Sequence, residues 1–360
     1  MRGIQDFRPS LLALIGFFLA LGSLLLFVSY YHKAPREKNI ISKEMTGIFS
    51  PRQKKYTGGD VIKSVTFYAQ KELDSKQFIK RHGMLVLRKK APAIVLVCHG
   101  YSCDKYDIGF VRFFLKKYHC MTFDFRAHGE AREGQCCTFG RDEACDVLAA
   151  VKYIKSNPEL ASLPLIVYGF SMGAVAAIEA QAYALSKGEK LFDAMILDCP
   201  YEQSEKVVQR GLEKAKINVF GYEYGIPGKT ILQRYAFRDW TQPILKFLLK
   251  VMANMDGTIT DTRICMVSPE ESIKKISIPC FFIYCANDDK ISVDASMALF
   301  NGANGFKRLW ITNGRRHFDS FFYNPEKYWY KINRFMEKFL NGELDQKESA
   351  RISKDKDLAI

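Results

Sequence analysis

Residues 165–177 read LIVYGFSMGAVAA, and this stretch decides the fold of the chain. The apolar run that ends at Tyr168 predicts a buried strand, and the alanine-rich run after Gly173 predicts a helix. Between them lies Gly-x-Ser-x-Gly, the pattern of a tight strand-to-helix turn that exposes the hydroxyl of its serine, here Ser171. Since about one random chain in ten of this length contains such a match, the surrounding sequence must decide what the pattern means.

The segments on either side of this stretch alternate between strand and helix patterns. Short, wholly apolar runs are typical of strands buried on both faces of a parallel sheet. The predicted strands of this kind are 93–98, 120–125, 165–168, 194–198, 280–285 and 308–311, and two further candidates precede them at 61–68 and 84–87. Helical patterns lie between several of these strands. One of them covers residues 142–155, and Asn157-Pro158 is predicted to end that helix. The alternation predicts an α/β fold with a mostly parallel central sheet flanked by helices.

One long insertion interrupts this alternation between the fourth and fifth predicted strands. Residues 201–269 carry helical patterns at 202–216 and 243–255, together with many aromatic side chains. An insertion of this size in an α/β sheet is typical of a cap or lid over a site. A packing subdomain remote from the site is the alternative. We therefore expect 201–269 to form a helical cap within a domain of residues 61–340.

The N-terminal region has the pattern of a membrane anchor. Residues 11–31 are almost uninterruptedly apolar and end in two tyrosines, which suits a bilayer span and its interface. A cleaved signal peptide competes with this interpretation, but the run is long for one and no small-x-small site follows it cleanly. We predict an anchor over 1–33, a juxtamembrane linker over 34–60 and a polar C-terminal tail over 341–360. More basic residues follow the span than precede it, which favours a single-pass protein with its large domain on the cytoplasmic face.

Composition narrows the classes of function. With 360 residues, 48% of them hydrophobic, the chain is neither disordered nor fibrous and can bury a large core. The formal net charge of +14 comes without a nucleic-acid-binding motif or a clustered basic helix face, so no nucleic-acid partner is expected. Cys98, Cys280 and Cys285 lie in apolar strand patterns, which is typical of free thiols. No paired CxxC spacing suits zinc and no glycine-rich phosphate loop is present, so neither a metal site nor a cofactor is expected.

The serine pattern predicts a base and an orienting acid. A serine hydroxyl is a weak nucleophile at neutral pH and needs a base within hydrogen-bond reach. Among six histidines, His317 follows the last predicted strand and precedes the C-terminal helix, which places it at the same sheet edge as Ser171. His99 follows an early strand and is interpreted as a loop-bracing residue. Either Asp288 or Asp289, in the loop after the fifth predicted strand, could orient His317.

Two backbone amides are candidates for stabilising the oxyanion of an acyl-transfer intermediate. The amide of Met172 lies at a helix N-terminus directly after the serine, where the helix dipole also helps. The amide of Tyr101 follows the first apolar strand, in the sequence His-Gly-Tyr. Asp198 also ends a strand, but the Cys199-Pro200 that follows it and the start of the insertion favour a structural role. The sequence thus predicts an acyl-transfer site along one edge of the sheet.

An ordered set of motifs over roughly residues 61–340 resembles the α/β-hydrolase superfamily. Within it, the pattern is similar to membrane-anchored, prolyl-oligopeptidase-like and acyl-hydrolase-like members. The motifs are HGY at 99–101, DFRAHGE at 124–130, GFSMGA at 169–174, CANDDKIS at 285–292 and RRHF at 315–318. The resemblance implies an α/β-hydrolase fold with the triad Ser171, Asp288 and His317, and an oxyanion hole formed by the amides of Tyr101 and Met172.

The resemblance implies a membrane-tethered serine hydrolase that cleaves an ester or thioester of a fairly apolar acyl substrate. Two departures from the family pattern, Glu130 and the pair Arg315-Arg316, predict a more charged rim. A peptidase or amidase would use the same triad and is the nearest enzymatic alternative. A catalytically silent, membrane-bound scaffold is the alternative from another class, and it is disfavoured because all three triad residue types are present in order.

Overall fold

A nine-stranded β-sheet forms the centre of the chain, which a computed structural model describes over residues 60–130, 132, 134–219, 222–252, 261–317 and 319–355. The strands are β1 (Val61–Gln70), β2 (Phe78–Leu87), β3 (Ile94–Cys98), β4 (His119–Phe123), β5 (Leu165–Phe170), β6 (Ala194–Asp198), β7 (Lys216–Val219), β8 (Tyr222–Gly225), β9 (Cys280–Cys285), β10 (Lys307–Thr312) and β11 (Arg351–Lys354). The order in the large sheet is β1-β2-β4-β3-β5-β6-β9-β10-β11, and β7 and β8 form a separate hairpin.

Most of this sheet is parallel. The pairs β1–β2 and β2–β4 are antiparallel, whereas the pairs that join β4 to β11 are all parallel. All residues of β3, β4, β5, β6 and β9 are buried. Strands covered on both faces are expected to be nearly continuous apolar runs, which is the pattern that most of these strands show. The predicted α/β fold with a mostly parallel sheet is confirmed.

Helices cover both faces of the sheet. They are α1 (Val111–Phe114), α2 (Glu143–Ser156), α3 (Met172–Ser186), α4 (Ser204–Lys214), α5 (Lys229–Arg234), α6 (Gln242–Met252), α7 (Pro269–Ser272), α8 (Val293–Gly302), α9 (Ser320–Tyr323) and α10 (Pro325–Leu340). Neighbouring residues of β9 show the two layers: Phe282 packs on Phe300 of α8 (6.0 Å between ring centroids), and Phe281 packs on Phe335 of α10 (5.4 Å). Successive side chains of a strand point to opposite faces, so α8 and α10 lie on opposite sides.

The sheet continues beyond residue 340, within the segment predicted to be a polar tail. Strand β11 pairs in parallel with β10. The indole Nε1 of Trp310 donates to Asp355 Oδ1 (3.2 Å), and the amide of Asp355 donates to the carbonyl of Ile311 (3.0 Å). The strand is only four residues long, and Ile352 is its only apolar residue. Such a short, mostly polar edge strand leaves no apolar run in the sequence, which is why the pattern missed it.

The insertion at residues 201–269 forms a small layer with its own core. It holds α4, the hairpin β7–β8, α5 and α6. The helical patterns at 202–216 and 243–255 correspond to α4 and α6. The side chains buried together in this layer are Leu212, Ala215, Ile226, Leu232, Ala236, Leu245 and Ile264. The layer therefore has an apolar cluster separate from the main core.

The two ends of this insertion are hydrogen-bonded to each other in a neck. The amide of Ser204 donates to the carbonyl of Val267 (3.0 Å), and the amide of Val267 donates to Ser204 Oγ (2.9 Å). The amide of Glu270 donates to the carbonyl of Glu202 (3.0 Å). The chain therefore enters and leaves the insertion at one place on the sheet.

None of the helices in the described ranges is both long enough and apolar enough to cross a bilayer. The predicted anchor at residues 1–33 lies outside the described residues, as does the predicted linker apart from Asp60. The anchor stays a prediction from the sequence.

Candidate active site

The turn at Ser171 is as tight as the sequence pattern predicts. Ser171 lies between β5 and α3 with φ 47° and ψ −113°, a backbone conformation that L residues rarely adopt. A Cβ on Gly169 would lie 2.5 Å from the Cα of Ala174. A Cβ on Gly173 would lie 2.4 Å from the carbonyl oxygen of Cys98. Both glycines are therefore required by close backbone contacts, and the turn projects the serine from the end of β5.

Replacing Gly173 with alanine is expected to lower the free energy of unfolding by about 3 kcal/mol or more, because the methyl group meets two rigid carbonyl oxygens, those of Cys98 and His99 (both 2.4 Å). Gly100→Ala is the matched control, since its Cβ would lie 3.5 Å from the carbonyl oxygen of Phe170, an ordinary contact. Thermal melts of the two variants measure the difference. Equal Tm values would contradict this explanation of the turn.

Three side chains from separate loops meet beside this turn. His317 follows β10, and its Nε2 lies 2.9 Å from Ser171 Oγ. Asp288 follows β9, and its Oδ2 lies 2.7 Å from His317 Nδ1. With Nδ1 protonated, the imidazole donates to the carboxylate and Nε2 accepts from the serine hydroxyl. The geometry is that of a nucleophile, a base and an orienting acid.

The carboxylate of Asp288 is held in its ionised form. Its side chain has 0% exposure, whereas that of His317 retains 15%. Its Oδ1 accepts hydrogen bonds from the amides of Lys290 and Ile291 (both 2.8 Å). Burial acts to raise the pKa of Asp288, but His317 and the two amides outweigh burial and hold this pKa below its ordinary value. The carboxylate is thus anionic at neutral pH and suited to stabilising an imidazolium.

The alternative acid, Asp289, is not placed against the histidine. Asp289 is exposed, and its carbonyl oxygen accepts a hydrogen bond from Lys214 Nζ (2.6 Å). Lys214 ends α4, so the insertion touches the loop that carries Asp288. The insertion also contacts a different loop, where the amide of Cys137 donates to the carbonyl of Asp261 (2.9 Å). The insertion therefore contacts the loop of the acid, and the geometry favours Asp288 over Asp289 as the partner of His317.

Asp198 belongs to a separate buried network. Its carboxylate accepts a hydrogen bond from the Tyr328 hydroxyl, which in turn contacts the Tyr168 hydroxyl. Burial raises the pKa of Asp198 to about 6. No hydrogen bond joins Asp198 to His317 within the described residues, and the network fits the structural role expected from the sequence.

The two amides predicted to stabilise an oxyanion flank Ser171. Met172 is the first residue of α3, and Tyr101 follows Gly100, whose Cβ would lie 3.7 Å from the Cβ of Ser171. In the described part of the chain, neither amide donates to a protein acceptor. Both N–H groups are therefore available to an oxyanion formed at Ser171, which is the requirement of such a site.

His99 fixes the loop that carries Tyr101. Its Nε2 accepts a hydrogen bond from the amide of Phe125 (3.0 Å), so the protonated Nδ1 donates to the carbonyl of Gly100 (2.7 Å). Burial holds the pKa of His99 well below its ordinary value. The imidazole is therefore neutral and braces the loop, in agreement with the interpretation from the sequence.

Glu130 is paired with Lys105 but its side chain remains 50% exposed, so its effect on the charge of the rim stays a prediction. Lys105 Nζ donates to Glu130 Oε1 (2.8 Å) and to the buried Asp124 Oδ2 (2.6 Å). Sequence reasoning missed Lys105, although it follows the HGY motif and Asp124 opens the DFRAHGE motif. Arg315 and Arg316 are exposed, as expected for a charged rim.

Cys199 lies beside Asp288 and His317, although the sequence analysis gave it no chemical role. Its sulfur, a carboxylate oxygen of Asp288 and a ring nitrogen of His317 lie within 4.8 Å of one another. Cys199 follows β6 and has a left-handed backbone, with φ 50°. Its position directly after a parallel strand, at the same sheet edge as Ser171, is the sequence signal that could have identified it.

Comparisons with known proteins agree with this fold. A model of the family described as serine aminopeptidase, S33, matches residues 89–223, a range that holds Ser171 but neither Asp288 nor His317. The chain is 25% identical over 299 residues to the uncharacterized protein YqkD of Bacillus subtilis (strain 168), covering 79% of this chain and 88% of that protein.

Two solved structures show a fold similar to that of this chain. The Pyrococcus furiosus esterase Pf2001 is 21% identical, with a TM-score of 0.57 and coverage of 80% of this chain and 97% of that chain. The peroxisomal α/β-hydrolase Lpx1 of Saccharomyces cerevisiae is 14% identical, with a TM-score of 0.51 and coverage of 79% and 91%. These similarities agree with the observed sheet order and serine turn. The α/β-hydrolase fold that the sequence motifs imply is confirmed.

Proposed function

We propose that this chain, a member of the α/β-hydrolase superfamily by its fold, is a membrane-tethered serine hydrolase of apolar acyl esters or thioesters. The observation that carries the proposal is the continuous set of contacts from Ser171 Oγ to His317 Nε2 (2.9 Å) and from His317 Nδ1 to Asp288 Oδ2 (2.7 Å). The tether rests on the apolar residues 11–31.

The geometry supports a two-step acyl transfer. Ser171 Oγ attacks the substrate carbonyl while its proton passes to His317 Nε2, and Asp288 stabilises the resulting imidazolium. The amides of Tyr101 and Met172 bind the oxyanion, and His317 returns the proton to the leaving alcohol or thiol. Water then attacks the acyl-enzyme, giving its proton to His317, which passes it back to Ser171 as the acid is released. The step needs no cofactor.

The substrate class is inferred from what surrounds the site. Several aromatic side chains of the insertion are exposed, among them Tyr222, Tyr224 and Trp240. Exposed aromatic surface on an insertion that contacts the loop of Asp288 through Lys214 favours lipophilic material, as does a membrane tether. The name of the similar Pf2001 structure, an esterase, supports ester chemistry. The description of the matching family, serine aminopeptidase, supports amide chemistry as the second candidate.

A fluorophosphonate probe tests the proposal. We expect the purified wild-type chain to form a covalent adduct, because the probe phosphonylates a serine whose hydroxyl is activated by a neighbouring histidine. Mass spectrometry of the digest should place the adduct on the peptide that contains Ser171, and heat-denatured protein is the control. An unlabelled wild-type chain would instead support the catalytically silent scaffold.

The two enzymatic candidates differ in their preferred leaving group. We expect kcat/KM to be higher for p-nitrophenyl acyl esters than for aminoacyl p-nitroanilides, and to rise with acyl length. The reverse preference would assign the site to a peptidase. Comparable rates in detergent-solubilised and vesicle-bound protein would show that the tether sets location rather than chemistry.

A further inference from the structure

The cluster of Cys199, Asp288 and His317 has the ligand types of a zinc site. A thiolate, a carboxylate oxygen and an imidazole nitrogen are the three ligand types that Zn²⁺ binds in proteins. In the described part of the chain, these three ligand atoms lie within 4.8 Å of one another. Ligand atoms about 2.0 to 2.3 Å from zinc lie about 3.3 to 3.8 Å apart in a tetrahedron. Asp288 Oδ2 and His317 Nδ1 are 2.7 Å apart, so these two atoms separate slightly and Cys199 Sγ moves inward by about 1 Å to complete the geometry.

The thiol of Cys199 is reduced, since every cysteine of the described residues is free. Cys285, the last residue of β9, lies outside this cluster, and its Sγ lies 3.1 Å from Ser320 Oγ. A water would complete the tetrahedron, as at other zinc sites with three protein ligands. A thiolate and an imidazole favour zinc over harder cations.

We propose that Cys199, with Asp288 and His317, forms an inhibitory binding site for Zn²⁺ that overlaps the triad; this inference rests on the proposed function. Binding releases the thiol proton of Cys199 to solvent; where zinc takes Nδ1 of His317, it also breaks the hydrogen bond to Asp288 and the ring proton moves to Nε2. Zinc on Nε2 blocks the base directly. Zinc on Nδ1 leaves Nε2 protonated in the neutral ring, so Nε2 cannot accept the proton of Ser171. Either mode stops the reaction while zinc is bound.

Zinc can reach this cluster from solvent, and its binding is expected to be reversible. The side chain of His317 is 15% exposed, so an ion can reach the cluster from the side that the substrate uses. Zinc must compete with the hydrogen bond between His317 and Asp288, which lowers its affinity compared with a site whose ligands have no other partner. The cluster is therefore suited to a regulatory ion rather than to a permanent structural one.

Direct binding of metal to the full chain tests the site without any need for catalysis. In the Ser171→Ala background, we expect Zn²⁺ titration calorimetry to show one reversible site. Co²⁺, added as a spectroscopic probe, should give a thiolate-to-metal absorption band. Adding Cys199→Ala should weaken binding at least about tenfold and remove the band. Cys280→Ala, at the opposite end of β9, is the matched control and should bind as the parent does.

Inhibition of ester hydrolysis is the second measurement, with each variant compared with its own metal-free rate. The Zn²⁺ concentration for half inhibition should rise at least about tenfold in Cys199→Ala and stay unchanged in Cys280→Ala. Equal zinc binding by the Cys199→Ala and parent chains would overturn the proposal. If the chain hydrolyses no ester yet binds zinc through Cys199, the proposed function fails and the metal site stands. If the chain hydrolyses esters and zinc does not inhibit it, the proposed function stands and the metal site fails.

Discussion

Ser171→Ala is expected to lower the turnover of an acyl ester by about a million-fold, because it removes the oxygen proposed to form the acyl-enzyme. The histidine and the oxyanion amides remain, so a residual rate above that of water alone is expected. The measurement is hydrolysis of a p-nitrophenyl ester at saturating substrate, with enzyme at high concentration for the variant.

The fold should survive this change. The Ser171 hydroxyl makes one hydrogen bond in the described residues, to His317 (2.9 Å), and the strained turn is held by the glycines on both sides. A Tm close to that of the wild type is therefore the control for intact structure. Turnover within tenfold of the wild type would show that the hydrolysis arises elsewhere in the chain, or from a contaminating enzyme.

Asp288→Asn is expected to lower kcat by about ten-thousand-fold while KM changes little. The asparagine amide donates where the carboxylate accepted, so it favours the tautomer of His317 that carries its proton on Nε2. That tautomer cannot take the proton of Ser171. The variant also loses the negative charge that stabilises the imidazolium.

Asp289→Asn is the matched control, because it makes the same chemical change one residue along the chain. The described contact of Asp289 uses its carbonyl oxygen, which accepts from Lys214 (2.6 Å), and this contact is kept in the variant. We expect its kcat to stay within about twofold of the wild type, as for a surface substitution. If Asp289→Asn were the more damaging variant, the acid would be reassigned.

The sheet was predictable because its strands are buried on both faces. Apolar runs such as Ile94–Cys98 and Cys280–Cys285 have few alternatives to a covered strand, and their order in the chain gives the parallel sheet. The strand Arg351–Lys354 was missed because edge pairing depends on a neighbouring backbone rather than on its own side chains. The hairpin β7–β8 was missed for a similar reason, since Tyr222 and Tyr224 are exposed and show no buried face.

In the site, the residue types were predictable and the choice between neighbours was not. Gly169 and Gly173 predict the turn, and the position of His317 after the last central strand predicts the base. Asp288 and Asp289 are chemically identical, and only the folded loop decides which carboxylate lies 2.7 Å from the histidine. Cys199 was not predicted, because metal sites are recognised in a sequence by short, regular spacings of their ligands. Here the fold brings the three residues together from distant segments.

The neck of the insertion has a consequence for how such proteins diversify. Ser204 and Val267 close the insertion with paired hydrogen bonds, so its two ends stay together whatever lies between them. Deletion, duplication or replacement of the intervening segment therefore leaves the sheet closed at the same point, and changes the loop of Asp288 only through the contact with Lys214. Evolution can exchange this segment as a module, and chains with one catalytic machinery can acquire unrelated substrate preferences.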